Sequence, residues 1–370
     1  MKYYLIAGER SGDLHGSNLI KGIRASDPEA EFRGWGGDMM QVEHMKLVTH
    51  YKDTAFMGFW EVAKNLGTIR GFLKKCKSDI LSWQPDALIL IDYPGFNLRI
   101  AAFAKSRGLK VFYYISPKVW AWNQRRAWKI KETVDRMFVI FPFEVDFYKK
   151  YDFKVDYVGN PLMDAIKAFT PDPAFRAKNN LDSSKPIIAL LPGSRRQEIE
   201  GMLNVMLAVR PHFPAYQFVI AGVNSLPASL YEQYLANAGV SIVYEATYDL
   251  LVNAEAALVT SGTATLETAL LGVPEIVCYK TSTISYAVAK RLIRVPYISL
   301  VNLIMEKETV RELIQHDLNE EMLVSELKKI LPGGQDQARM KSDYAALRQK
   351  VGDSGASQRT GSMIVRYLKS

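Results

Sequence analysis

The sequence predicts an α/β protein built on two parallel sheets. Three observations carry this. Short runs rich in β-branched and aromatic residues alternate with segments of helical periodicity. A stretch rich in Pro, Asp, Asn and Ser, "AIKAFTPDPAFRAKNNLDSSKP", divides two such series. The length, 370 residues, suits about two domains of roughly 150 residues each. The first series of predicted strands is Lys2–Ala7, Glu31–Gly34, Asp86–Ile91, Lys110–Ile115, Arg136–Ile140 and Lys154–Val158. The second is Pro186–Leu191, Gln217–Ala221, Ser241–Tyr244, Ala256–Thr260 and Glu275–Cys278, and helices fill the intervals. After Pro332 the chain is polar and helical, with breaks at "PGGQD" and "GDSG". The expected organisation is an N-terminal domain over 1–165, a linker over 166–185, a second domain over 186–345 and a helical tail over 346–370.

Composition narrows the function only a little. The formal charge of +8 suits an acidic partner, whether nucleotide phosphate, anionic lipid or nucleic acid. Cys76 and Cys278 match neither a metal spacing nor a disulfide framework, which points to a reducing compartment. "MKYYLIAGERSGD" turns polar too quickly for a signal peptide, and no stretch approaches the roughly 20 apolar residues that span a bilayer. The expected location is cytoplasmic, with any membrane contact at the surface.

In open parallel sheets ligands sit beyond the carboxyl ends of the strands, so the informative residues are those just after them. Ser261-Gly262-Thr263 follows an apolar run and precedes a helical pattern over 264–271. Free N–H groups and the helix dipole would bind a phosphate there; a plain N-cap by Ser261 or Thr263 is the alternative. Glu267, on about the same helical face as Thr263, suits a ribose diol. "LLPGSRRQEI" is again strand, glycine turn and helix. Arg195 and Arg196 would neutralise a diphosphate, or else pair with Glu198 and Glu200 on the surface. Asp92, in "LIDYPGFN", ends a buried strand and is a candidate general base or a turn-capping carboxylate.

"AGERSGDLHG" lacks the dinucleotide glycine spacing, which argues against NAD, although its backbone could cradle a phosphate or sugar. Phe56, Met57, Phe59 and Trp60 precede five basic residues, with no acid between Glu61 and Asp79. That pattern suits an anionic membrane surface, an acyl-chain pocket, or a core helix with a solvated face. In "ISPKVWAWNQRRAWKIK" aromatic and basic residues interleave, but no nucleic-acid module surrounds them, so nucleic acid is not expected as a partner. Walker, nucleophile-elbow and HExxH motifs are missing from the sequence, as is an Asp-x-Asp pair to hold a metal on a diphosphate.

Taken in chain order, "AGERSGDLHG", "GWGGDMM", "FMGFWEV", "IDYPGFN", "YYISPKVWAWNQRR", "FPFEVDFY", "VGNPLMD", "LLPGSRRQEI", "TSGTATLETALLGVP" and "YISLVNLIMEKETVRELIQ" resemble the lipid-A-disaccharide synthase family. These are inverting glycosyltransferases of the GT-B class. The sequence departs from the family pattern at Arg10, Asn160 and Val301. The resemblance implies two Rossmann-like domains facing a cleft, with C-terminal helices packing back towards the N-terminal domain. It implies a donor, UDP-2,3-diacylglucosamine, and an acceptor, 2,3-diacylglucosamine 1-phosphate (lipid X). It implies no cofactor and no metal, and a place on the cytoplasmic face of the inner membrane. Asp92 would be the base, and Arg195 would stabilise the departing UDP. Gly193, Ser194, Ser261, Gly262, Thr263, Ala264, Thr265, Glu267, Tyr279 and Asn302 would complete the donor site. Glu9, Ser11, Gly12, Asp13 and Asn123 would border the acceptor. Phe56, Met57, Phe59, Trp60, Arg70, Phe72, Lys74 and Lys75 would meet acyl chains and membrane. Rival readings are a UDP-N-acetylglucosamine epimerase, a peptidoglycan glycosyltransferase, and a non-catalytic binder of lipid or sugar nucleotide.

Overall fold

A computed structural model describes residues 1–54, 66–235, 240–282, 286 and 295–370. The chain forms two units, Met1–Asp164 with Gly352–Ser370, and Ala165–Val351.

The first unit holds seven strands: Lys2–Ala7 (β1), Glu31–Gly36 (β2), Lys46–His50 (β3), Ala87–Ile91 (β4), Lys110–Tyr114 (β5), Arg136–Val139 (β6) and Asp156–Tyr157 (β7). They pair in parallel in the order β3-β2-β1-β4-β5-β6-β7. A parallel sheet covered by helices on both faces needs near-continuous apolar strands. The sequences YYLIA, ALILI and VFYY provide them, and every residue of β4 is buried. Buried tyrosines find partners for their hydroxyls: Tyr3 donates to Asp27, Tyr4 to Asp79 and Tyr113 to the Asp92 carbonyl.

The last helix, Ala356–Lys369, belongs to this first unit and lies against the helix Arg10–Arg24. Glycines set the contact. A Cβ on Gly22 would lie 2.5 Å from the Ser357 carbonyl oxygen, and one on Gly361 would lie 2.3 Å from the Gly22 carbonyl carbon. Asp164 accepts from the amides of Gly355 and Ser357, an N-terminal cap supplied from a distant segment. Arg359 donates to the Val158 carbonyl at 3.0 and 2.8 Å.

The second unit holds Ile187–Leu191 (β8), Gln217–Gly222 (β9), Ser241–Tyr244 (β10), Ala254–Thr260 (β11), Glu275–Tyr279 (β12) and Arg311–Ile314 (β13), parallel in the order β10-β9-β8-β11-β12-β13. Two strands were not predicted, β3 and β13, and both lie at a sheet edge. Their sequences, KLVTH and RELI, are short and partly polar because one side of an edge strand is open to solvent.

The expected linker carries a short helix, Phe175–Lys178, and joins the second unit. The Asp172 amide donates to Asp249 at 2.7 Å, and Arg176 donates to the Asn253 side chain at 3.2 Å. The "GDSG" break is where the chain leaves the helix Gln337–Val351 for the first unit. Both cysteines are buried and free. Among the described residues no helix is long and apolar enough to cross a membrane.

Candidate active site

Each sheet reverses its winding once. β1 to β3 build outward in one direction, and β4 to β7 in the other. In the second sheet β8 and β11 flank the reversal in the same way. Ligands of such sheets bind beyond the strand ends at that point. The residues following β1, β4, β8 and β11 are Glu9–Asp13, Asp92, Gly193–Arg195 and Ser261–Thr263.

Asp92 and Tyr93 both occupy the left-handed region, at φ 42° and 49°. Such residues cost about 1–3 kcal/mol each and persist only when their surroundings hold them. The holders are visible. The Asn97 amide donates to the carbonyls of Asp92 at 2.7 Å and Ile91 at 3.2 Å, and the Tyr113 hydroxyl donates to the Asp92 carbonyl at 2.5 Å. These bonds fix the backbone through its carbonyls, while the carboxylate itself takes a hydrogen bond from the Tyr93 amide. Burial pushes the Asp92 carboxyl up to about 6; Lys118 nearby works against this, and Glu9 adds to it. Lys118 is exposed and was missed as a site residue, because nothing in one dimension brings the end of β5 beside the end of β4.

Around it, Glu9 and Ser11 are exposed at the start of the helix Arg10–Arg24, while Gly12 and Asp13 are buried. The Asp13 carboxylate accepts from the amides of Gly37 at 2.7 Å, Met39 at 3.0 Å and Met40 at 3.1 Å. It therefore anchors the following glycine turn to the helix. Asn123 is partly exposed and ends the turn Val119–Trp122. That turn is tied down from below by Glu144, another residue the sequence did not single out. Its buried carboxyl accepts from the Trp120 indole at 3.3 Å and from the amides of Ile140 and Phe141 at 3.1 and 3.0 Å. Burial raises Glu144 to about 7, against the pull of those donors.

In the second unit, Gly262 is the N-cap of the helix Thr263–Leu270, and among the described residues no side chain caps that helix. The alternative of a capping serine or threonine is thus not what forms. Ser261 donates its hydroxyl to the Ile298 carbonyl at 3.1 Å, and Thr263 is exposed. Ala264 is partly exposed; Thr265 is buried and donates its hydroxyl back to the Gly262 carbonyl at 2.8 Å. Glu267 accepts from the Tyr248 hydroxyl at 2.8 Å. Tyr279 ends β12, partly exposed.

After β8, Gly193 stands at φ 110°, and a Cβ there would lie 2.3 Å from a Glu198 carboxylate oxygen. That carboxylate accepts from the amides of Ser194 at 3.0 Å and Arg195 at 3.2 Å. Arg195 pairs with Glu198, and Arg196 with Glu200, each at 3.3 Å. The surface-pair reading therefore describes how both arginines rest. The Arg195 side chain is 71% exposed, and a pair so exposed is worth at most about 1 kcal/mol.

Asn302, expected beside the uridine, is fully buried. Its Nδ2 donates to the Val310 carbonyl at 2.8 Å and to Glu312 at 2.9 Å, and its Oδ1 accepts from the amides of Thr309 and Val310 at 2.8 and 2.9 Å. With all four amide positions used by protein, Asn302 shapes the loop and does not present its side chain to a ligand. Glu312, unnoticed in the sequence, also accepts from the amides of Ile298 and Ser299 and so fixes the carbonyl that Ser261 uses.

Phe56, Met57, Phe59 and Trp60 lie outside the described residues. Beyond them, the helix Leu66–Trp83 buries Ile69, Cys76 and Ile80 and exposes Arg70 and Lys74. Phe72 packs edge-on against Trp35, and Lys75 donates to the Val48 carbonyl at 3.1 Å. Among the described residues no group of three or more His, Cys, Asp or Glu gathers as a metal site.

Two parallel-sheet Rossmann-like units, each with its candidate residues at the winding reversal, define a GT-B glycosyltransferase fold. Solved structures share it. They include UDP-GlcNAc 2-epimerase from Neisseria meningitidis bound to UDP-GlcNAc, at TM-score 0.67 and 13% identity, covering 100% of both chains. The glycosyltransferase of kitacinnamycin gives TM-score 0.68 at 11% identity, covering 99% of both chains. The sequence comparisons are more specific. The family model for lipid-A-disaccharide synthetase matches residues 3–365. The lipid-A-disaccharide synthase of Geobacter metallireducens is 39% identical over 370 residues, covering 98% of this chain and 96% of that protein. That of Syntrophus aciditrophicus is 39% identical over 372 residues, covering 99% and 97%. The chain belongs to the lipid-A-disaccharide synthase family and is a glycosyltransferase of lipid A biosynthesis.

Proposed function

We propose that the protein transfers 2,3-diacylglucosamine from its UDP donor to the 6-hydroxyl of 2,3-diacylglucosamine 1-phosphate. The products are the β-1,6-linked disaccharide 1-phosphate and UDP. The hydroxyl oxygen bonds to the anomeric carbon as the bond to the diphosphate breaks on the opposite face, so an α donor gives a β product. The transition state is oxocarbenium-like, as in glycoside hydrolysis. Asp92 takes the hydroxyl proton. The observation that carries this reading is its carboxyl, held by a braced, left-handed backbone at the winding reversal and raised by burial to about 6. A base of that pKa is ionised at neutral pH yet more basic than a free aspartate.

Arg195 and the uncapped N-terminus of the helix Thr263–Leu270 stabilise the departing UDP as charge develops on it. Gly193 and Ser194 shape the arginine turn, Glu267 takes the ribose hydroxyls and Tyr279 lines the uridine side. Asp13, Asn302 and Glu312 position loops. Glu9, Ser11 and Asn123 border the acceptor, with Gly12 beneath them. The acyl chains and the membrane are met by the stretch from Phe56 to Lys77, which places the enzyme on the cytoplasmic face of the inner membrane. Each methylene buried there contributes about 0.8 kcal/mol.

Purified protein incubated with both acylated substrates should yield the disaccharide by mass spectrometry, and Asp92→Asn should form it about 10²–10⁴-fold more slowly. Release of UDP from UDP-GlcNAc with no lipid present would overturn the reading in favour of an epimerase. A disaccharide yield unchanged by Asp92→Asn would remove the assigned base.

A further inference from the structure

We propose that the face carrying Trp128 is a second membrane-docking surface, fitted to an anionic lipid bilayer. It rests on the reading of a lipid-handling enzyme only for its purpose; the geometry is independent of it. The helix Arg126–Thr133 buries Ala127, Ile130 and Thr133, which turns Trp128 to solvent, 52% exposed. Scattered exposed apolar side chains are ordinary. Trp128 differs in being braced by an aromatic neighbour and bordered by a cation. Its ring meets Tyr151 edge-on at 5.3 Å, and Tyr151 leans at 5.3 Å on the buried Phe147. The Lys131 ammonium lies 5.8 Å from the ring centroid and 3.0 Å from Asp152.

The two segments that meet here, "RRAWKIKE" over 125–132 and "KKYDFK" over 149–154, hold seven cations and two acids, Asp152, which pairs with Lys131, and the exposed Glu132. Arg125, Lys129, Lys149, Lys150 and Lys154 are exposed. An indole rooted in protein with ammonium groups around it is what the headgroup layer of an anionic membrane accommodates: the ring sits at the interface and the cations at the negative surface. Single-stranded nucleic acid would want a series of ring faces on which to stack. Here the neighbouring tyrosine meets the tryptophan edge-on.

The test sediments the full-length protein with vesicles of phosphatidylglycerol mixed into phosphatidylcholine, and with vesicles of phosphatidylcholine alone. The protein should bind the first, release as salt rises, and ignore the second. Lys149→Glu with Lys150→Glu should cut partitioning by at least about fivefold per cation. Trp128→Ala should cut it about fivefold through lost ring burial. Lys149 and Lys150 are exposed, so the melting temperature of that double variant should match the parent, while Trp128→Ala should lower it slightly and remain folded at the assay temperature. Equal binding to neutral vesicles, or unchanged partitioning in both variants, overturns the surface. So does binding to single-stranded oligonucleotide, at the same ionic strength, in place of vesicles. Disaccharide formation in detergent micelles reads the proposed reaction separately. Its absence in the parent, with vesicle binding and the variant effects intact, would count against the reaction and leave the surface standing.

Discussion

Lys118→Met should move the acid limb of kcat/KM upward, and Glu9→Gln should move it downward. The two side chains act on Asp92 with opposite signs: Lys118 favours the carboxylate, and Glu9 opposes it. Both are exposed, so water governs the interaction. A unit charge screened by water contributes at most about 1 kcal/mol, so each shift should be no more than about 0.7 pH unit. The profile of kcat/KM reports the free enzyme's base, so the parent limb should fall near pH 6. The assay is disaccharide formation from both acylated substrates at subsaturating acceptor, across pH 5 to 8 at constant ionic strength. Asp92→Asn should remove the limb and lower the rate by about 10²–10⁴-fold. Two variants shifting in the same direction, or neither shifting, would refute the assignment of Asp92 as the titrating base.

Arg195→Ala should lower kcat by about 10²–10³-fold, as for loss of one oxyanion donor, and should weaken product inhibition by UDP in the same assay. Chelation with EDTA should leave the rate unchanged, because helix N–H groups and a guanidinium carry the leaving-group charge; a rate restored only by added magnesium would contradict this. Glu275→Met should stabilise the protein at pH 8. Both Glu275 carboxyl oxygens are buried with no hydrogen-bond partner among the described residues, and burial raises the group well above the usual carboxylate range. Stability from Glu275 is therefore greatest in acid and falls as pH rises from the ordinary carboxylate pKa towards the raised one. Removing it should add about 1–3 kcal/mol and a few degrees of melting temperature at pH 8, with a smaller gain at pH 4. Gly361→Leu should lower the melting temperature, since a side chain there runs into the Gly22 backbone.

The sequence made every central strand legible, and of the edge strands it hid β3 and β13 while showing β7 and β10. ALILI and IIALL are buried on both faces and read as uninterrupted apolar runs, whereas KLVTH and RELI share their character with loops. Candidate site positions could be read where a residue follows a strand directly, as Asp92 and Ser261 do, or after a short glycine turn, as Arg195 does. Residues that act by holding a loop left no such mark. Asn97, Tyr113, Glu144 and Glu312 matter through hydrogen bonds to backbone groups, which are set by the tertiary path of the chain and not by local pattern. Asn302 shows the converse: a position picked out by resemblance for ligand contact spends its amide on the loop around it.

The glycine-on-glycine crossing makes the first unit discontinuous along the chain. Residues 356–369 follow the whole of the second unit in sequence, yet they pack on the helix that begins at residue 10. The groove beside Gly22 therefore stays bare until the polypeptide has passed through Ala165–Val351 and returned. A single cut within that span would leave the first unit in two covalently separate pieces.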